Sequence, residues 1–252
     1  MDPVSTSPDD RRRCSVLGVP VDACRDVPAA ALGLHSHGGG RIVTLNAEMT
    51  MMALADEALG AAIHSADLVI PDGAGVVWAL SRQGVRVIKT AGIELAWVLL
   101  RYAAAHGWKV ALIGAAPAVM DSLRSTLPQE HPGLDLVLAV DGYQPESAWP
   151  GIEAELDRLQ PDLVLIALGV PRQETWSLRV SQGKKGIWMG VGGSFDVWSG
   201  TKQRAPQWMC RMQIEWLYRL IQEPSRWRRM LVLPEFAWAV LRCPEPKTEL
   251  GQ

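Results

Sequence analysis

Residues 66–83 read ADLVIPDGAGVVWALSRQ. The run through Leu68, Val69 and Ile70 is apolar without alternation, as expected of a strand buried on both faces. Pro71-Asp72-Gly73 then breaks the strand, and GAGVVWALSRQ takes up helical spacing. The same unit recurs along the chain. Further β-rich runs are CSVLGVPV, RIVTLNA, KVALIGA, LDLVLAV, PDLVLIALG and GIWMGVGG. Residues 47–63, 92–106, 117–127 and 152–159 carry helical patterning between them. Apolar strands alternating with helices predict an α/β fold, a mostly parallel sheet with helices on both faces.

The bulk composition permits this. The chain has 252 residues, 48% of them apolar and 21% charged, enough for one large domain or one domain plus an appendage. The net charge of −2 argues against nucleic acid as the main partner. The charge is unevenly spread, however. Residues 1–203 carry 17 Lys and Arg against 22 Asp and Glu, whereas residues 204–243 carry seven Arg against three Glu. Cys14, Cys24, Cys210 and Cys243 form no CxxC pair and fit a reduced, cytosolic setting. The opening residues MDPVSTSPDDRRRC lack an apolar signal core, which predicts no export. No apolar run reaches the roughly 20 residues that span a bilayer, so any membrane contact is expected to be peripheral.

Open parallel sheets bind ligands beyond the carboxyl ends of their strands. Polar or glycine-rich clusters stand at six such ends. They are Thr44 and Asn46; Asp72 and Gly73; Gly114; Asp141, Gly142 and Tyr143; Gly169 to Glu174; and Gly192 to Asp196. Asp72 can be read as a general base or as the N-cap of the helix behind it. No G-x-G-x-x-G follows the first strand and no G-x-x-x-x-G-K-[ST] occurs. No Asp-x-Asp pair is present to hold a divalent metal on a sugar nucleotide. His35, His37, His64, His106 and His131 form no ligand pattern. The glycine run 38–40 and the eleven tryptophans have no functional explanation at this level.

The tail differs from the rest. Residues 204–229, RAPQWMCRMQIEWLYRLIQEPSRWRR, hold six arginines and three tryptophans. Arginine forks bind phosphate oxygens, and tryptophan suits the boundary between water and lipid. Helical patterning resumes after Pro206 and is broken at Glu223-Pro224. The tail thus reads as a helical appendage.

The ordered series LGVPVD, VTLNAE, ADLVIPDGAGVVWA, ALIGAAP, DGY, PDLVLIALGVPRQETW, GVGGSFDVWSGTKQRAPQWM and EWLYRLIQEPSRWRR resembles the WecG/TagA/CpsF family of glycosyltransferases over roughly residues 15–235. The resemblance implies a Rossmann-like catalytic domain over 14–200 and a membrane-proximal helical appendage over 201–243. A disordered arm (1–13) and a frayed tail (244–252) would flank them. It implies an inverting, metal-independent transferase with no cofactor. Such an enzyme would move N-acetylmannosamine, its uronic acid or another hexose from a UDP donor to a polyprenyl-diphosphate-linked sugar. It would work at the inner face of the cytoplasmic membrane, in cell-surface polysaccharide synthesis.

Carried over by residue, the resemblance makes Asp72 the base, with Thr44, Asn46 and Gln173 completing the catalytic set. Tyr143, Asp196, Gly114 and Gly142 would bind the nucleotide, and Arg219, Arg226 and Arg229 a diphosphate. Arg172 stands where many relatives carry lysine. A homo-oligomer could shelter the apolar face of the appendage. The residues taken alone leave open a module that binds UDP-sugars without turnover. A Rossmann oxidoreductase is disfavoured by the missing fingerprint.

Overall fold

The computed structural model describes residues 11–87, 89–212, 215–224 and 227–243. A hairpin comes first, β1 (Arg11–Val16) and β2 (Val19–Cys24), paired antiparallel as a sheet of its own. Leu17 and Gly18 turn it with positive φ at both positions, 53° and 85°, the geometry that matches strand twist in a two-residue turn. CSVLGVPV, read as one strand of the main sheet, is therefore a turn with a strand on either side. The polar arm expected over 1–13 gives way to strand already at Arg11; residues 1–10, like 244–252, lie outside the described set.

The chain continues through α1 (Val27–Ser36), β3 (Gly40–Leu45), α2 (Ala47–Ala55), α3 (Glu57–His64), β4 (Leu68–Pro71) and α4 (Ala74–Arg82). Next come α5 (Gly92–His106), β5 (Lys109–Gly114), α6 (Pro117–Glu130), β6 (Asp135–Val140), α7 (Trp149–Leu159), β7 (Leu163–Ala167), α8 (Arg172–Val180) and β8 (Ile187–Gly190). The short helix α9 (Ser194–Trp198) precedes the C-terminal helices α10 (Gln207–Arg211), α11 (Glu215–Gln222), α12 (Trp227–Met230) and α13 (Val232–Arg242). The helix read over 47–63 is two helices. Asp56 ends one, and its carboxylate caps the next by accepting from Leu59 N at 3.0 Å.

Six strands form one all-parallel sheet in the order β4-β3-β8-β7-β5-β6. Successive side chains of a strand point to opposite faces, and the core divides accordingly. Ile42, Leu68, Ile70, Val110, Leu112, Leu163, Leu165, Ile187 and Met189 pack under α1, α5, α6 and α9. Val43, Leu45 and Val69 meet the hairpin, α2, α3, α4 and α13. Ala111, Ile113, Val164, Ile166 and Trp188 meet α7 and α8. Both faces are closed, as the non-alternating apolar strands require.

The edge strand β4 is covered by the hairpin. The buried Asp22 carboxylate accepts from Val69 N at 2.7 Å, and Arg13 donates to Ala66 O at 3.0 Å. An otherwise unpaired edge amide is thereby satisfied. The glycine run has a packing reason. A Cβ on Gly39, at φ +105°, would lie 2.4 Å from Gly186 O, and one on Gly40 would lie 3.0 Å from the Asp67 carboxylate. Only glycine lets the two backbones approach so closely.

The tryptophans also divide. Trp149, Trp176 and Trp188 are buried and pack in series, the first pair edge-on and the second tilted, with ring centroids 5.7 and 6.3 Å apart. Trp97 packs on Trp198 at 5.4 Å. Trp208, Trp216, Trp227 and Trp238 on the C-terminal helices are exposed.

The last helix is part of the core. Phe236 of α13 is 2% exposed and packs in the cluster of Val43, Leu45 and Leu80, its ring against the backbone of Gly75. Phe236→Ala should cost about 3 kcal/mol in urea unfolding. Trp238→Ala, on the exposed side of α13, should change stability by no more than about 0.5 kcal/mol. Equal small losses would mean that α13 is peripheral to the core.

Candidate active site

The carboxyl ends of β3, β4, β7 and β8 open into a cleft of about 160 Å³. Thr44 and Asn46 line it from β3, Asp72 from β4, Val170 and Gln173 from the segment after β7, and Val191 to Ser194 from the segment after β8. The catalytic set expected from the sequence is therefore gathered in one place. The ends of β5 and β6 contribute no lining residue, so four of the six strand ends converge.

Local structure explains how each group is held. Asn46 caps α2, its Oδ1 accepting from Met49 N at 2.9 Å. Asp72 continues the ladder beyond β4, its amide donating to Leu45 O at 2.8 Å. It is not the cap of α4. Gly73 holds the N-cap position at φ 145°, and no side chain makes a capping bond there. Of the two readings open for Asp72, the helix cap is the one that fails. Gly92 begins α5 against this corner. A Cβ there would lie 2.7 Å from Thr44 Cγ2 and 3.4 Å from Asp72 Oδ2, so glycine leaves room for both side chains.

The remaining wall comes from beyond β8. Lys202, Gln203, Arg204 and Ala205 line the cleft, with Glu215, Gln222 and Glu223 from α11 and the residue after it. Lys202 Nζ lies 2.7 Å from Asp196 Oδ2 and 2.6 Å from Glu223 Oε1. Burial opposes its charge, but the bonds to the two carboxylates outweigh this and raise its pKa. Lys89 Nζ reaches Glu215 Oε1 at 3.0 Å, Arg204 pairs with Glu94, and Gln222 Nε2 donates to Gln203 O at 3.2 Å. These polar ties hold α11 at the mouth of the cleft. Lys202 and Lys89 were not singled out, and Arg204 figured only as one of the six arginines of residues 204–229. The quoted segment GTKQRAP held two of them, but nothing in its spacing marked them.

The residues expected to bind nucleotide are differently placed. Asp196 is the partner of Lys202. Tyr143 is 77% exposed after β6, in a turn where its amide donates to Asp141 Oδ1 at 2.9 Å. Gly114 and Gly142 have packing roles. A Cβ on Gly114 would meet Ala167 O at 2.4 Å, and Gly142 N donates to Ala115 O at 2.8 Å. Arg172 joins this end of the sheet, its guanidinium 4.8 Å from the Trp149 ring centroid. Of the three expected diphosphate arginines, Arg229 is exposed, 3.7 Å from Glu48 on α2, and does not line the cleft. Arg226 and the side chain of Arg219 lie outside the described residues. Among the described residues, no three His, Cys, Asp or Glu side chains come together as metal ligands, and no helix is long and apolar enough to cross a membrane.

Asn46 both caps a helix and faces the cleft, and substitutions can separate the two roles. Asn46→Ala should cost about 1 kcal/mol of stability. Asn46→Asp, which preserves the cap, should leave the urea midpoint close to wild type. Equal stability of all three proteins would show that the cap is unimportant.

Residues 14–248 match the model of the Glycosyl transferase WecG/TagA/CpsF family. An N-acetylglucosaminyldiphosphoundecaprenol N-acetyl-beta-D-mannosaminyltransferase of Bacillus subtilis (strain 168) is 35% identical over 206 residues, 81% of this chain and 80% of that protein. A protein of the same name from Bacillus spizizenii is 35% identical over 211 residues, 83% of this chain and 81% of its own. With a family match over most of its length and an all-parallel α/β sheet that gathers the expected side chains at one edge, the chain belongs to the WecG/TagA/CpsF family of glycosyltransferases.

Proposed function

We propose that the cleft transfers a sugar from a UDP donor to a polyprenyl-diphosphate-linked sugar by one inverting displacement, without a metal ion. N-acetylmannosamine, its uronic acid or another hexose is the transferred group, and a teichoic acid-like or other cell-surface polysaccharide is the destination. The observation that carries the reading is Asp72. It is a carboxylate at a strand end, beside Thr44, in a cleft it shares with Gln173 and the cations Lys202 and Arg204. The names of the two Bacillus relatives supply the sugar and the lipid-linked acceptor.

In this reading the acceptor hydroxyl gives its proton to the Asp72 carboxylate as its oxygen bonds to the anomeric carbon. The bond from that carbon to the diphosphate oxygen breaks on the opposite side, and its electron pair leaves with UDP. A base held by a rigid strand end is worth roughly 10²–10⁴-fold. The negative charge on the leaving diphosphate needs fixed donors. Lys202 and Arg204 at the cleft wall are candidates beside Arg219, Arg226 and Arg229. The nucleotide set of Tyr143, Asp196, Gly114 and Gly142 would extend the site along the sheet edge toward β5 and β6. Trp208, Trp216, Ile221, Trp227 and Leu231 are exposed on the C-terminal helices. They would rest at the inner membrane surface, where a lipid-linked acceptor is held.

Two measurements test this. With a UDP-sugar panel and a short-chain polyprenyl-diphosphate acceptor, Asp72→Asn should lower transfer by about 10²–10⁴-fold while its melting temperature stays near wild type. Wild-type turnover in that variant would remove Asp72 from the chemistry. Excess EDTA should leave the rate within about twofold, as expected where cationic side chains carry the diphosphate charge. A rate abolished by EDTA and restored by a divalent ion would overturn metal independence.

A further inference from the structure

A line of buried polar groups runs under the floor of the cleft, on the sheet face that α3 and α8 cover. Gln173 and Glu174 begin α8 and are 2% and 1% exposed. Both lie over the backbone of Gly190 in β8. A Cβ there would sit 2.5 Å from Gln173 Nε2 and 2.6 Å from Glu174 Oε1. Glycine at that position is what admits the pair. Gln173 Nε2 donates to Glu174 Oε1 at 2.9 Å. The other end of the amide, Oε1, is buried without a hydrogen-bond partner, in a side chain that lines the cleft. On the same face Arg41 of β3 is 4% exposed and donates from Nη2 to Ala62 O at 2.9 Å and Ser65 Oγ at 2.8 Å. Its charge acts on Glu174.

A primary amide is ambivalent. Turned by half a revolution, it exchanges two donors for an acceptor. A carboxylate is not ambivalent, because when ionised it only accepts. An ionised Glu174 therefore draws the NH₂ group to itself and turns Oε1 away from its own oxygens. A buried acceptor left unmatched is costly, so this orientation favours a ligand that brings a donor. We propose that Glu174, steadied by Arg41, is a positioning residue that fixes the Gln173 amide with its oxygen toward the cleft, as the acceptor for a hydroxyl or acetamido N–H of the bound sugar. That the ligand is a sugar rests on the transferase reading; the orientation of the amide does not.

The device has a sign in pH. Burial pushes the Glu174 carboxyl up to about 7, against the Gln173 hydrogen bond and the charge of Arg41. Arg41, itself in the field of Asp67, is the charged neighbour. From β8 the backbone of Gly190 faces the carboxylate, and Ser65, after α3, holds Arg41. Above about pH 7 the ionised carboxylate holds the acceptor outward. As pH falls through that range, protonated Glu174 can donate to Oε1 instead, the amide reverses, and the match to a sugar donor group is lost.

The experiment follows the Gln173 side-chain amide by ¹⁵N NMR in the full-length chain, its signals assigned by their loss in Gln173→Ala. In wild type the signals should move with a midpoint near pH 7, and Glu174→Gln should abolish that movement. The wild-type titration needs no folded Glu174 variant. An amide insensitive to pH and to Glu174→Gln overturns the proposal. In transfer assays with UDP-N-acetylmannosamine and a short-chain polyprenyl-diphospho-N-acetylglucosamine, Glu174→Gln should lower kcat/KM about 10- to 100-fold, mostly through KM. In a Gln173→Ala background the same change should cost less than about threefold. Independent, additive losses would also overturn it. A titrating amide in an enzyme that transfers nothing from any donor of the UDP-sugar panel counts against the transferase reading and leaves the amide device standing.

Discussion

Closure of the sheet on both faces is the constraint from which the rest of the molecule follows. Ile42 and Val43, or Val110 and Ala111, are neighbours in sequence that enter separate cores on opposite sides. Polar chemistry is then confined to strand ends, the one part of the sheet that helices leave open. Thr44 and Asn46, Asp72, and Gln173 come from three separate stretches of sequence and share a cleft because each lies at or beyond the carboxyl end of a strand of one parallel sheet. The closed faces have a few buried polar exceptions. Arg41 and Glu174 are both buried, and Gly190 makes the space for Glu174 and its neighbour Gln173.

The C-terminal segment solves two problems at once. Its last helix inserts Phe236 and Val240 into the core, which anchors the segment. Between β8 and that anchor the chain crosses the cleft, held by ion pairs more than by apolar packing. Lys202 joins Asp196 to Glu223, and Lys89 meets Glu215. Partly exposed ion pairs contribute little stability individually, so these contacts define a position more than they add energy. Met209 of this segment is buried, but Trp208, Trp216 and Ile221 face outward. That is the reverse of the sheet domain, where Trp149, Trp176 and Trp188 are core.

How much was legible depended on the range of the interaction. The strands β3 to β8 and most helices follow from local apolar patterning, and Asp72 stood out because it follows a wholly apolar strand. The hairpin was misread because CSVLGVPV contains its own turn, and positive φ at Leu17 is not a preference leucine advertises. The break at Asp56 was missed because the apolar spacing of 47–63 runs through a residue that ends one helix and caps the next. The tail arginines drew attention by number; Arg204 among them lines the cleft, together with Lys202, which precedes that stretch. Cation count is a sequence property; proximity to the cleft is not.

The sequence by itself therefore determined the α/β class, the parallel sheet and the polar clusters at its strand ends. These depend on periodicity and on residue type at strand ends, both readable over a few residues. Only the tertiary structure decided the strand order, the merging of α13 with the core, and the failure of the helix-cap reading of Asp72. It alone revealed why glycine stands at 39, 92 and 190, where another chain segment comes within van der Waals distance. Those outcomes rest on contacts between residues far apart in sequence, and no local pattern records which distant backbone or carboxylate a residue will meet.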